Sequence, residues 1–144
     1  MIYYYAERQN YAVIGTANRD ELEQGFFVKY GDGGVDIQPI AHLYKTQVYQ
    51  LAKYLDILEE VLQRIPTTDT YSALQTQEEF FFRLPFATLD LLCYAKEHTI
   101  PLAEVSAVLG LTEEQIKRVY DDLDQKERTT QYLRMPPFKL APPS

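Results

Sequence analysis

The residues able to do chemistry gather between positions 11 and 69. Thr16 follows a short apolar run, Tyr11-Ala12-Val13-Ile14, and then Gly15. Its hydroxyl therefore stands at the C-terminal end of a strand candidate, where ligands bind in open α/β folds. Glu21 offers the carboxylate that Mg²⁺ takes along with phosphate oxygens and water. Lys29 and Asp36 flank the run Gly31-Asp32-Gly33-Gly34. A lysine there suits a phosphate or carboxylate, and an aspartate suits ribose hydroxyls. Lys45 falls in the first turn of a helix, and Thr67 follows Pro66. Together these groups suit a phosphate chain and a metal ion.

Each residue also has a plainer reading. Asn18-Arg19-Asp20-Glu21 has the form of a capping box, so Glu21 reads equally as the residue that closes it. Thr16 reads as a cap or turn residue, and Thr67 as a loop residue. Lys29 and Asp36 read as a solvated charge pair, and Asp32 as a turn residue. Lys45 is the more informative case. A cation in the first turn opposes the helix dipole at a cost of roughly a few tenths of a kcal/mol. A phosphate docked on the free N–H groups, with Lys45 beside it, removes that conflict. His42 and His98 have no partner at metal-ligand spacing.

Several elements must position these groups. Residues 1–10 read as the end of a helix and residues 11–14 as a short strand. The glycine run predicts a turn whose glycines cover backbone angles that other residues avoid. Residues 35–40 are short and extended, limited by Pro39. Tyr44, Val48, Leu51 and Leu55 recur at helical spacing and predict an amphipathic helix over about 42–55. A short helix is expected over 58–64, then a polar loop over 67–77. Residues 84–98 are helical with Pro85 in the first turn. Residues 101–109 form another helix, stopped by Gly110. Thr112 opens a longer one with Ile116, Val119, Tyr120 and Leu123 as its apolar stripe. The proline-rich tail over 135–144 cannot be regular helix. Two short strands cannot make a stable sheet alone, so they either complete a sheet from elsewhere or the protein is mainly helical.

The bulk numbers narrow the class. The chain has 144 residues, 46% hydrophobic and 24% charged, an ordinary globular mixture. A net charge of -7 argues against nonspecific nucleic-acid binding. The single cysteine, Cys93, permits no intramolecular disulfide and no Cys-x-x-Cys metal pattern. With no membrane-length apolar run and no signal-peptide pattern, the chain reads as cytoplasmic.

The motif series G-T-x-N-x-x-E, G-F-F-x-K-Y-G-D-G-G-x-D-I-x-P-I, L-x-K-x-Q-V and P-T-x-D resembles the C-terminal half of the ammonia-dependent NAD synthetases, a family of ATP pyrophosphatases. The resemblance is dense over residues 11–69. It implies an α/β fold with a Rossmann-like (adenine nucleotide alpha hydrolase-like) partial sheet and a mostly helical C-terminal half. The expected division is a core part over 1–70, a helical region over 71–134 and the tail. It implies ATP- and Mg²⁺-dependent amidation of deamido-NAD with ammonia through an adenylate, giving NAD, AMP and pyrophosphate. It assigns Thr16, Lys45 and Thr67 to ATP, Lys29 and Asp36 to deamido-NAD, and Glu21 to Mg²⁺, with no catalytic side chain. It also implies a homodimer with deamido-NAD across the interface.

Two departures follow from the same resemblance. The S-G-G-x-D-S loop that opens the family's ATP site is absent, so the chain alone is expected to be inactive and to need an N-terminal half carrying that loop. Tyr132-Leu133 stands where many relatives carry His-Lys before Pro-Pro, with Arg128 or Arg134 as replacement charges. A noncatalytic relative is therefore one alternative. A DNA-binding helix-turn-helix over 102–120 is another, disfavoured because the second helix is rich in acids.

Overall fold

The structure, a computed structural model, describes residues 1–68 and 75–140. Its helices run in the order α1 (Ile2–Gln9), α2 (Arg19–Gln24), α3 (Lys45–Tyr54), α4 (Glu59–Leu62), α5 (Phe86–Glu97), α6 (Leu102–Leu109) and α7 (Glu113–Arg134). Local chemistry explains the ends of several. Asn18 and Glu21 form the expected capping box of α2, and Thr112 and Gln115 form one at α7. Pro85 and Pro101 stand at the starts of α5 and α6, where a missing N–H costs nothing. Asn10, Gly25 and Gly110 end their helices in the left-handed conformation.

Helix α3 starts at Lys45, three residues later than the periodicity indicated. Leu43 instead turns back, its N–H donating to Ile40 and its carbonyl accepting from Arg19 N–H at 2.9 Å. A π-helical turn at Glu78–Phe82 was not foreseen. It stacks Phe81 and Phe82 against Phe26 and Phe86 with ring centroids 4.6 to 5.5 Å apart. The loop expected over 67–77 lies partly outside the described residues, as does the end of the tail.

The expected strands are reduced to one parallel bridge, Ile14 with Ile37. Val13 accepts from Asp36 and Ile37 N–H, and Ile37 accepts from Gly15 N–H at 2.7 Å. A second, antiparallel bridge joins Thr67 and Thr76. Among the described residues no longer sheet forms, and Ile14 and Ile37 are 63% and 50% exposed.

The core is helical and centred on α5. Phe82, Phe86, Leu89 and Leu123 form one buried cluster. Leu92, Ala95, Val105 and Ile116 form a second, which joins α5, α6 and α7. The α6–α7 pair is thus accounted for by packing. The glycine run at 31–34 corrects an expectation: none of its glycines has positive φ. The reason for glycine there is room. A Cβ on Gly33 would fall 2.5 Å from the Phe27 ring.

Two buried carboxyls hold α3 to its neighbours. Asp20 on α2 accepts the Lys45 N–H at 2.8 Å, and Asp90 on α5 accepts the Thr46 N–H at 2.8 Å. Burial, and then the charge of Asp90, push Asp20 up to about 7; Asp90 is raised too, mainly by burial. Burial thus disfavours the charged form of both acids, and the charge of Asp90 adds to the effect at Asp20. Two like charges at neighbouring helix N–H groups oppose each other's ionisation. Neither Oδ1 has a hydrogen-bond partner among the described residues.

Two predictions follow from this packing. Gly25 and Gly110 both have positive φ, but a Cβ on Gly25 would meet Thr130 on α7 at 2.3 Å, whereas Gly110 faces open space. Gly110→Ala should cost about 1–2 kcal/mol for the left-handed backbone alone, and Gly25→Ala clearly more; urea denaturation of the two variants checks the order. The second concerns pH. A carboxyl whose folded pKa lies above its unfolded 3.8 binds its proton more tightly when folded. Its contribution is complete below pH 3.8 and is lost as pH rises through about 7. Asp20→Asn should flatten that decline in a pH series of unfolding midpoints.

Candidate functional site

The capping box that starts α2 leaves one Glu21 oxygen available. Glu21 Oε2 accepts the Asn18 N–H at 3.0 Å, while Oε1 bonds no described residue. Burial raises this carboxyl most; the Asn18 N–H and the Lys45 ammonium oppose the rise, and Asp32 adds to it. Lys45 and Asp32 thus act on the Glu21 carboxyl with opposite sign. Of the two roles foreseen for Glu21, the cap is present and uses Oε2.

Lys45 is half-buried, and its ammonium forms no hydrogen bond or ion pair with a described residue. Its ammonium lies over the rings of Phe86 and Tyr49, 5.7 and 5.9 Å from their centroids. Lys45 and Thr67 line one cleft of about 490 Å³, with Tyr49, Arg64 and Gln77 on its walls. These two sequence-assigned ATP residues are brought together. The first N–H groups of α3, however, are not free for a phosphate, because Asp20 and Asp90 occupy them. The conflict between Lys45 and the helix dipole is answered by these carboxyls instead. A ligand anion at Lys45 has to meet the ammonium rather than the helix end.

Thr16 is exposed and lines a different cleft, of about 530 Å³, together with Gly31, Asp32 and Gly34. Asp32 itself caps its turn, accepting the Val28 N–H at 2.7 Å.

Lys29 and Asp36 are anchored. Lys29 Nζ donates to the carbonyls of Tyr132 and Met135, at 2.8 and 2.5 Å, and so ties the glycine-rich turn to the end of α7. Asp36 accepts from Tyr3 OH at 3.0 Å and from Val13 N–H at 2.8 Å. One ammonium N–H and further carboxylate lone pairs remain after these bonds. Lys29, Gly33, Gly34 and Met135-Pro136-Pro137 line a cleft of about 610 Å³. Arg134, a candidate replacement charge, is taken up by the carbonyls of Leu22, Glu23 and Glu127.

Among the described residues no group of three or more His, Cys, Asp or Glu side chains gathers to hold a metal. Glu21 Oε1 is a carboxylate oxygen that bonds no described residue. That suits an ion completing its shell with phosphate oxygens and water, as Mg²⁺ does. No described helix is long and apolar enough to cross a membrane.

Asp20 and Asp90 were missed as contributors. Asp20 was absorbed into the capping box. Asp90 carried a readable signal: it lies at helical spacing from Phe86 and Cys93 on the buried face of α5, where an acid needs a partner.

Residues 1–137 match the NAD synthase family. The chain is 58% identical over 136 residues to the NH(3)-dependent NAD(+) synthetase of Mesorhizobium japonicum, covering 94% of this chain and 43% of that protein. It is 51% identical over 142 residues to the enzyme of the same name from Rhizobium rhizogenes, again covering 43% of it. The NMN synthetase of Francisella tularensis superposes with a TM-score of 0.68 at 26% identity, over 97% of this chain and 50% of that one. The NH3-dependent NAD synthetase of Campylobacter jejuni, solved with nitrate, gives 0.65 at 25% identity. The chain therefore spans about half the length, or less, of the relatives it matches. By motif order, by identity and by fold, it belongs to the NAD synthase family.

Proposed function

We propose that the chain is the C-terminal portion of an ammonia-dependent NAD synthetase and carries one wall of its nucleotide site. One observation carries the reading. A half-buried lysine, its ammonium without an ion pair to a described residue, lines a cleft with Thr67, and its charge favours the ionised form of Glu21, which keeps one oxygen free. On this reading Lys45, Thr67 and Thr16 contact ATP, and Glu21 is a ligand of Mg²⁺. Lys29 and Asp36 present their remaining valences to deamido-NAD. The core part over 1–70 supplies these contacts, and the helices beyond it hold them in place.

The reaction asks the protein for charge and position rather than a nucleophile. The substrate carboxylate attacks the α-phosphorus, pyrophosphate leaves, and ammonia then displaces AMP from the adenylate. Bound Mg²⁺ would neutralise charge on the phosphates. Lys45 adds a fixed positive charge where negative charge grows on the departing pyrophosphate. Half-buried above two aromatic rings, it acts in a medium less polarisable than water, which raises its worth. Thr16 and Thr67 hold the nucleotide by hydrogen bonds. A Rossmann-like sheet would be completed by a second segment with the S-G-G-x-D-S loop, pairing beyond the single Ile14–Ile37 bridge. A homodimer and a cytoplasmic setting belong to the same reading.

A second reading is a noncatalytic subunit. It is favoured by the commitment of Arg134 to backbone carbonyls, which leaves the Tyr132-Leu133 replacement without that charge. Calorimetry separates the two, because a dead relative binds no Mg·ATP even when assembled.

The test is to co-purify this chain with the N-terminal part of the Mesorhizobium japonicum relative and assay amide formation from deamido-NAD, ATP and ammonia. Turnover is expected in the complex and not in either part alone. Lys45→Ala should lower kcat/KM for ATP by about a hundredfold, in the range of a lost charge-stabilising donor. A well-formed complex without turnover overturns the catalytic reading.

A further inference from the structure

Helix α3 does not cap itself. Its N-cap residue is Tyr44, which supplies no side-chain hydrogen bond to the first turn, and Gln47 only reaches back to the Tyr44 N–H at 2.9 Å. The first two N–H groups of the helix are instead taken by carboxyls from elsewhere, Asp20 on α2 and Asp90 on α5, each at 2.8 Å. These acids are 1% and 4% exposed. Burying two carboxyls is costly. The chain satisfies helix starts far more cheaply elsewhere, with Asn18 at α2 and Thr112 at α7. A local cap fixes only where a helix begins. Borrowed caps from two helices also fix where it lies and how it is rotated. Asp20 is moreover the chain neighbour of Glu21, so one short segment sets both the free carboxylate oxygen and the start of the helix that carries Lys45.

We propose that Asp20 and Asp90 are positioning residues for Lys45: their carboxyls pin the first turn of α3 against α2 and α5, so that the ammonium meets the ATP polyphosphate beside Glu21. This rests on the nucleotide reading above. The clamp works through backbone N–H groups, so it holds the lysine without neutralising its ammonium by a direct ion pair.

Two measurements test it. Amide hydrogen exchange on this chain reads the clamp itself. Asp90→Ala should speed exchange of the Thr46 N–H at least tenfold, and Asp20→Ala that of Lys45, while Asp90→Asn, which keeps an acceptor oxygen, should leave Thr46 protected. Steady-state kinetics on the co-purified complex reads the consequence. Asp90→Ala should lower kcat/KM for ATP at least tenfold with KM for deamido-NAD unchanged, and Asp90→Asn should restore most of that loss. Circular dichroism establishes that each variant is folded. Should Asp90→Ala fail to fold, Asp20→Ala carries both measurements. Unchanged exchange in the alanine variants overturns the clamp. Faster exchange with unaltered ATP kinetics reduces the acids to helix caps and overturns the positioning role. A wild-type complex without turnover removes the nucleotide reading, and the ATP role with it, while exchange still decides whether the clamp exists.

Discussion

A positive charge at the positive end of a helix is the constraint around which this chain is arranged. Lys45 occupies the first turn of α3, where the backbone dipole favours anions. The fold answers with two buried carboxyls, one from the segment before α3 in the chain and one from the central helix α5. Those bonds fix the contact of α3 with α2 and α5. They also leave the lysine side chain outside the exchange, lying over Phe86 and Tyr49 at the edge of a cleft. Burial raises both acids, so each ionises less readily there than a free carboxyl would.

The same pattern, polar groups spent on architecture with a remainder left over, recurs across the site. Glu21 gives one oxygen to its capping box and keeps the other. Lys29 binds two carbonyls at the end of α7, and Asp36 holds Tyr3 and Val13. The glycine-rich turn is thereby fastened to both ends of the chain. These anchors make the candidate binding residues rigid, which lowers the entropy lost when a ligand arrives. They also explain how a segment with a single parallel bridge can hold its shape: side chains do the fastening that a sheet would otherwise provide.

Much of this was legible in the sequence because it depends on local rules. The capping box at Asn18, the helix start at Thr112, the stop at Gly110 and the stripe Ile116, Val119, Tyr120 and Leu123 are short-range signals. So is the motif series that led to the family. What the sequence hid is long-range. Asp90 lies 44 residues from Thr46, and no periodicity announces that bond. The reading of Lys45 was right about an electrostatic conflict and wrong about its resolution, because carboxyls rather than a ligand phosphate take the helix N–H groups. The glycines at 31–34 were credited with unusual backbone angles, whereas the close approach of Phe27 to Gly33 is what demands them. The start of α3 was misjudged because Leu43 is drawn back to Arg19, a tertiary bond that overrides helical spacing.

The account stands on Glu21, Lys45 and Thr16 facing one metal–nucleotide assembly. Paramagnetic line broadening tests this directly: Mn²⁺·ATP is titrated into the isotopically labelled chain assembled with its N-terminal counterpart. The account predicts that signals of Glu21 broaden first, with Lys45 and Thr16 close behind, while those of α6 stay sharp. Broadening that spares Glu21 and Lys45, or centres on the acidic face of α7, would contradict it.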